Sequence, residues 1–338
     1  MTKAPMTYLT FVMVSRNDGY GENLLHRMQT CIDSIVTLAE RHEVPTELLL
    51  VEWNPPADTT SLEEALEWPD QTTQTAIDIL TVPPEIHATL PGSDELPLFE
   101  YIGKNVGIRR ADGEFVLSTN PDLIYSKTFF SHLASEPLSH ESFYRINKYN
   151  VDSLVSREMS IDEQLEFCRN HIAAKYTPAG YRERPYSRRL RNIVYSYYTY
   201  LQNPWRIVDQ FRRLGDGAPR SLYDLHHLAA GDFILMGKEQ WETIGGHPEF
   251  EYNFNVDSYT IVNAAGNGLT ETVFPDEIRA YHQPHDDFHD VRPQGDWDEL
   301  VEYSRRLLTD EEQLTDTSTT WGLADEEMQR ESICSREA

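Results

Sequence analysis

Residues 8–15 (YLTFVMVS) form an apolar, β-prone run that stops at a polar, glycine-bearing loop over 16–21. From Leu24 the period changes, and Leu24, Leu25, Met28, Cys31, Ile32, Ile35, Val36 and Ala39 recur at helical spacing through to Arg41. Strand, loop and helix in that order predict the first half of a βαβ unit. The run at 47–53 (ELLLVEW) is unbroken in its apolar centre, as a parallel strand covered on both faces requires. A short amphipathic helix over 61–68 and a third strand over 76–82 follow. Residues 104–125 then read as a short helix, a turn at Asp112-Gly113, an apolar strand at 115–117 and a polar loop over 118–122.

Further along, the pattern predicts a helix at 129–134, a strand at 142–149 and a mostly helical stretch from 160 to 215. A strand at 229–237 leads into a helix at 238–244 and the break Gly245-Gly246-His247-Pro248. A helix opens around Asn255-Val256-Asp257 and runs to Ala265, a strand covers 277–285, and a last helix covers 297–308. The remaining acidic tail is expected to be disordered beyond about residue 325, with Trp321-Gly322 tucking back. No internal repeat interrupts this order.

Composition narrows the possibilities. The 338 residues suffice for one large α/β domain with insertions. Apolar runs are too short to span a bilayer and no signal pattern opens the chain, so a cytoplasmic protein is expected. Cys31, Cys168 and Cys334 are odd in number and far apart, which suggests neither a disulfide framework nor a thiolate zinc site. The net charge of −27, from 56 acids against 29 bases, opposes nucleic-acid binding because a polyanion is repelled. An acidic, lysine-poor surface is also what proteins of high-salt cytoplasms carry, where screening removes self-repulsion. No Gly-x-Gly-x-x-Gly or Gly-Lys-Ser/Thr loop occurs, which argues against a dinucleotide oxidoreductase or a P-loop ATPase.

Candidate chemistry gathers at predicted strand ends. Asp122 lies just beyond the carboxyl end of a buried strand, where open α/β sheets bind ligands because side chains converge there on a crevice the helices leave uncovered. Glu52 and Asn54 end the second strand, where an acid can take up a base or ribose or merely cap a turn before Pro55-Pro56. His282 and His285, followed by Asp286 and Asp287, have a spacing that suits a metal ion but lacks the helical His-Glu-x-x-His arrangement of zinc peptidases. Asp257 at a helix start reads locally as an N-cap.

The 104–125 segment resembles that of family 2-type glycosyltransferases of the GT-A fold, which pairs an Arg/Lys-Asn-x-Gly helix with Ala-x-Gly-Glu, an apolar strand and a terminal Asp-x-Asp. Lys104-Asn105, Gly107, Ala111, Gly113-Glu114 and Asp122 match, while Asn120 replaces the first acid. The resemblance covers residues 8–150 and 225–290. It implies a GT-A-like nucleotide-diphospho-sugar transferase fold: α/β, with a mostly parallel central sheet, helices on both faces and a helical insertion. It implies a nucleotide-sugar half over 1–150, an Arg/Tyr-rich insertion over 151–224, an acceptor half over 225–295, and a C-terminal helix and tail over 296–338.

The same resemblance assigns roles. Ser15, Arg16, Asn17, Glu52, Asn54, Lys104, Asn105 and Asn120 become nucleotide-sugar residues; Asp122, His282 and His285 become ligands of Mn2+ or Mg2+. Asp257 becomes the base that takes the proton of an acceptor hydroxyl, provided the anomeric centre is inverted, and Asp232 an acceptor contact. The implied reaction transfers a sugar from a nucleoside diphosphate sugar to a sugar, glycolipid or other hydroxyl acceptor. A nucleotidyltransferase shares this layout but usually needs a basic glycine-rich loop, and 16–21 holds one base; a non-catalytic nucleotide-sugar binder that lost the first acid is the other alternative.

The insertion stands outside the resemblance. Residues 181–220 hold nine arginines against three acids, including Arg182, Arg184, Arg188, Arg189 and Arg191 within ten positions, interleaved with tyrosines. Such a cluster either balances the surrounding acidic surface or receives an anionic acceptor, with Arg188, Arg189 and Arg191 as the expected contacts and peripheral attachment at the inner membrane face as a further expectation.

Overall fold

The computed structural model describes residues 6–183, 218–285, 295–309 and 319–336. Its strands are β1 (Leu9–Ser15), β2 (Thr46–Trp53), β3 (Thr75–Val82), β4 (Phe115–Thr119), β5 (Leu123–Tyr125), β6 (Ser142–Arg145), β7 (Asn147–Val151), β8 (Ile172–Thr177), β9 (Gly180–Glu183), β10 (Phe233–Gly237), β11 (Thr270–Val273), β12 (Arg279–His282) and β13 (Gln329–Cys334). Among the described residues, eight strands form the central sheet in the order β11-β6-β10-β4-β1-β2-β3-β13. Its middle, β4-β1-β2-β3, is parallel throughout, and β10 and β13 run antiparallel to their neighbours. The expected α/β architecture with a largely parallel central sheet is therefore present.

Alternation along the central strands divides the core in two. Leu9, Phe11 and Met13 of β1 pack on one side with Leu48 and Leu50 of β2, against Met28, Cys31, Ile32 and Ile35 of α1 (Leu24–His42). Val12, Val14, Leu49, Val51 and Trp53 point to the other side, against Ile102 and Val106 of α4 (Glu100–Arg110). Here Gly103 and Gly107 have a packing reason. A Cβ at 103 would lie 2.8 Å from Val14, and one at 107 would run into Val12 and Val51, so the helix meets the sheet only with glycine at both positions. Between α1 and α4 come the short helices α2 (Leu62–Ala65) and α3 (Pro84–His87), and α5 (Lys127–Ser135) lies beside α1.

Three segments differ from the sequence expectation. The strand expected over 142–149 divides at Ile146, so β6 joins the central sheet while β7 enters a second sheet ordered β5-β12-β7-β8-β9. After α6 (Ile161–Asn170), residues 172–183 form the β8–β9 hairpin rather than a helix. Its β-branched and aromatic residues straddle a Thr-Pro-Ala-Gly turn, and cross-strand pairing outweighs weak helical spacing. Beyond residue 325 the chain is an edge strand, not a disordered tail. Buried Glu47 and Asp78 need a cation, and the Arg330 guanidinium of β13 meets both at 2.7 Å and Asp112 at 2.9 Å. Residues 184–217, just under half of the insertion, lie outside the described residues.

Candidate active site

The carboxyl ends of β1 and β4 open onto a cleft of about 600 Å³, also lined by the loop preceding β10 and by the start of α8 (Val256–Gly266), the helix that follows α7 (Lys238–Ile244). The second sheet lends it Lys148 and Asn150 of β7, Tyr176 of β8 and His282 of β12. Of the residues singled out from sequence, Ser15, Arg16, Asn120, Asp122, Asp232, Asp257, His282 and His285 line this one space.

At one end Asp122, His282 and His285 converge. The Nε2 atoms of the two imidazoles lie 3.5 and 3.3 Å from Asp122 Oδ2 and 3.3 Å from each other. Asp122 Oδ1 is buried without a hydrogen-bond partner. One carboxylate oxygen and two imidazole nitrogens within ligand distance of a common point, beside an unsatisfied carboxylate oxygen, fit a divalent cation. Burial raises the Asp122 carboxyl, but His282, His285 and Arg27 outweigh it and hold the group well below the usual carboxylate range. Burial also pushes the His282 imidazole down, against the pull of Asp122, favouring the neutral form a metal ligand requires.

Asn120 does not point at this cluster with a free oxygen. Its Oδ1 accepts from Lys104 Nζ at 2.8 Å, and its amide donates to Asp232 Oδ1 at 3.0 Å. Lys104, fully buried, also donates to Glu100 Oε1 at 2.7 Å and to the Gly231 carbonyl at 2.9 Å. Asp232 pairs with Lys148 Nζ at 2.6 Å; burial raises its carboxyl, and Lys148 brings it to a net lowering. The cleft floor is thus a chain of alternating charges, which Lys104 ties to the loop before β10. Buried Arg145 holds that loop by donating to the carbonyls of His226, Leu228 and Ala230.

Asp257 also lines the cleft, in the first turn of α8. Its Oδ2 accepts from the Gly231 N–H at 2.5 Å and its Oδ1 from the Ser258 N–H at 2.8 Å. Burial pushes its carboxyl up, partly offset by those N–H groups and Arg145. A side chain at 231 would be wedged between the Tyr101 hydroxyl and Asp257, so glycine keeps the approach to this carboxylate open.

Other sequence candidates sit elsewhere. Glu52 is buried and its carboxylate accepts the Leu62 N–H at 2.8 Å, the capping arrangement at the start of α2. Asn54, at positive φ, donates to the Pro97 carbonyl, as the cleft-lining Arg16 also does, tying strand ends to the loop before α4. Asn17 donates to the Thr60 carbonyl. Asn105 is fully buried and clamps the Gly245-Gly246-His247 turn through His247 N and O, away from the cleft. Arg188, Arg189 and Arg191 lie outside the described residues.

Arg27 and Lys148 were not singled out from sequence, although each carries charge into the cleft. Arg27 interrupts the apolar stripe of α1, three residues after Leu24 and four before Cys31, and a cation on a buried helix face signals a buried partner. Lys148 gives no such sign, since its strand partner and Asp232 are both remote in sequence.

No family model matches the chain, and no curated protein matches it. Solved structures similar to it include S. aureus TarS 1-349, with 14% identity and a TM-score of 0.45 over 82% of this chain and 60% of that one. The catalytic domain of Drosophila beta1,4galactosyltransferase 7 in complex with xylobiose aligns at 10% identity and a TM-score of 0.40, over 88% of this chain and 79% of that one. GalNAc-T7 with UDP, GalNAc and Mn2+ aligns at 9% identity and a TM-score of 0.44, over 83% of this chain and 44% of that one. The chain thus spans about three-fifths of the TarS fragment. Among the described residues, no helix is long and apolar enough to cross a membrane.

Proposed function

We propose that the protein is a metal-dependent glycosyltransferase that moves a sugar from a nucleoside diphosphate sugar to an acceptor hydroxyl. The observation that carries this reading is the pairing, in one cleft at the carboxyl edge of a parallel sheet, of a metal-competent Asp122-His282-His285 cluster with a separate, upward-shifted carboxylate at Asp257. A bound divalent cation supplies positive charge to the diphosphate as it leaves. Two imidazoles beside one carboxylate suit Mn2+ better than Mg2+, which prefers an all-oxygen shell.

The remaining work falls to the chain's own groups. Asp122 and the two histidines would hold the cation at the diphosphate end of the donor, while Arg16 and Ser15 flank that end from the β1 loop. Asp257, held in place by Gly231 and Ser258, accepts the proton of the acceptor hydroxyl as the new glycosidic bond forms and the sugar–phosphate bond breaks, with inversion at the anomeric carbon. Asp232 and Lys148 form the floor on which the acceptor rests. An acceptor bearing negative charge, met by Arg188, Arg189 and Arg191, a cytoplasmic setting with peripheral membrane contact, and a surface acidity suited to high salt complete the proposal.

The test is turnover. The full chain incubated with Mn2+ and each of a set of UDP-, GDP-, CDP- and dTDP-sugars should release nucleoside diphosphate from one of them, by slow hydrolysis or by transfer. Donor binding with no release from any member would support instead a nucleotide-sugar-binding protein.

A further inference from the structure

Among the described residues lining the cleft, Asp122 is the only carboxylate in the metal-competent cluster, and it is already neutralised. Arg27 Nη1 donates to Asp122 Oδ2 at 2.9 Å, and its side chain is 1% exposed. The guanidinium is held at all three nitrogens: Nη1 by Asp122, Nη2 by the Tyr20 carbonyl at 2.6 Å and Nε by the Glu22 carbonyl at 3.3 Å. The backbone carbonyl of Arg27 accepts from Gln283 Nε2 at 3.0 Å, which locks the helix to the segment bearing His282 and His285. Arg27 therefore cannot withdraw from the carboxylate without dismantling the β1–α1 loop.

The neighbouring pair, Lys148 with Asp232, is also neutral as a unit. Asn120, where an acid would add negative charge, contributes none. Asp122 and Arg27 together sum to zero, and the two imidazoles add no negative charge. A divalent cation entering alone brings two uncompensated positive charges into a buried space beside a fixed guanidinium, which is strongly unfavourable. A diphosphate brings the negative charge that balances the ion and also pairs with Arg27.

We infer that Arg27 makes metal binding at this cluster conditional on a diphosphate group, so that the ion is captured together with the donor rather than held beforehand. The inference rests on the metal and donor assignments above, and it concerns binding, not turnover. Arg27 is here a positioning residue that sets the charge of the site. Ordered capture of this kind keeps the cluster from holding an ion when no donor is present.

The experiment measures Mn2+ binding to the full chain through the electron paramagnetic resonance signal of the free aqua ion, with and without inorganic pyrophosphate, corrected for the complex the two form in protein-free buffer. Pyrophosphate carries no base and no sugar, so the result is independent of whether any nucleotide sugar is turned over. The parent should bind Mn2+ at least about tenfold more tightly with saturating pyrophosphate than without, within the usual range of coupling between two ligands. Arg27→Met should bind Mn2+ alone about tenfold more tightly than the parent and pyrophosphate alone more weakly, with the coupling reduced. Arg27→Lys keeps the charge and should retain the parental coupling. Equal Mn2+ affinity with and without pyrophosphate in the parent overturns the inference, as does a folded Arg27→Met with parental affinities. Should Arg27→Met fail to fold, the parent and Arg27→Lys decide, and loss of coupling in the lysine variant also counts against the charge argument.

Discussion

Replacing Asp257 by Asn separates its chemical role from its structural one. The carboxylate accepts two backbone hydrogen bonds, from Gly231 and Ser258, and an amide keeps one acceptor while turning a donor toward the other N–H. Leaving one buried N–H without a partner costs about 1–3 kcal/mol. Removing a carboxylate whose burial already disfavours its charge recovers part of that, so a net loss of about 1–2 kcal/mol is expected. Losing a general base costs about 10²- to 10⁴-fold in rate, or roughly 2.7–5.5 kcal/mol of barrier. The catalytic loss therefore exceeds the structural one across both ranges.

The assay follows nucleoside diphosphate release with the productive donor and acceptor, and donor affinity separately by calorimetry. Asp257→Asn should lower kcat with donor affinity unchanged, because the proposal gives Asp257 to the acceptor hydroxyl and not to the donor. The upward-shifted carboxyl of Asp257 should also give the parent an acidic limb in its rate profile, with activity falling as pH drops through a value above that of an ordinary aspartate, and the variant should lack that limb. A variant with kcat within about fivefold of the parent, far short of the general-base range, or one whose loss lies entirely in donor affinity, would refute the assignment.

Asp122→Ala leaves the Arg27 guanidinium buried and unpaired, so stability should fall by about 3–5 kcal/mol in chemical denaturation, and the double variant with Arg27→Met should recover much of it. Both should lose the thermal stabilisation that nucleotide with Mn2+ gives the parent; retention of it would remove Asp122 from the metal site. Gly107→Ala should destabilise by about 1–3 kcal/mol through overpacking against Val12 and Val51, and an unchanged denaturation midpoint would mean that α4 shifts freely. His247 donates or accepts at both nitrogens, to Ser118 and Thr260, and burial, with Lys104 nearby, holds it neutral, well below its usual value. Because the unfolded imidazole takes up a proton below about pH 6.5 and the folded one does not, stability should fall as pH drops through that value, by up to about 1.4 kcal/mol per pH unit; His247→Gln should flatten the slope. With a net charge of −27, thermal stability should rise from low to molar KCl, and a flat curve would leave the acidity without a high-salt explanation.

Local patterning was enough to place β1, α1, β2, β3, β4 and β10, because an apolar run or a 3.6-residue stripe reports the faces a segment must bury whatever its neighbours are. It also marked Asp122, His282 and His285, since polar residues at the ends of buried strands have few places to go except a crevice. What sequence could not decide is pairing. Whether residues 329–334 add a strand depends on two buried acids whose counter-charge, among the described residues, comes from Arg330, 252 or more positions away. The neutral charge of the metal-competent cluster depends on Arg27, 95 positions from Asp122 and brought to 2.9 Å by the packing of α1 on the sheet. Glu52, a nucleotide candidate by position, is claimed by the Leu62 N–H because the chain after β2 returns there to start a helix. Periodicity is a property of neighbours in sequence, whereas the charge and hydrogen-bond balance of a buried group is set by whichever distant residues the fold brings within a few ångströms.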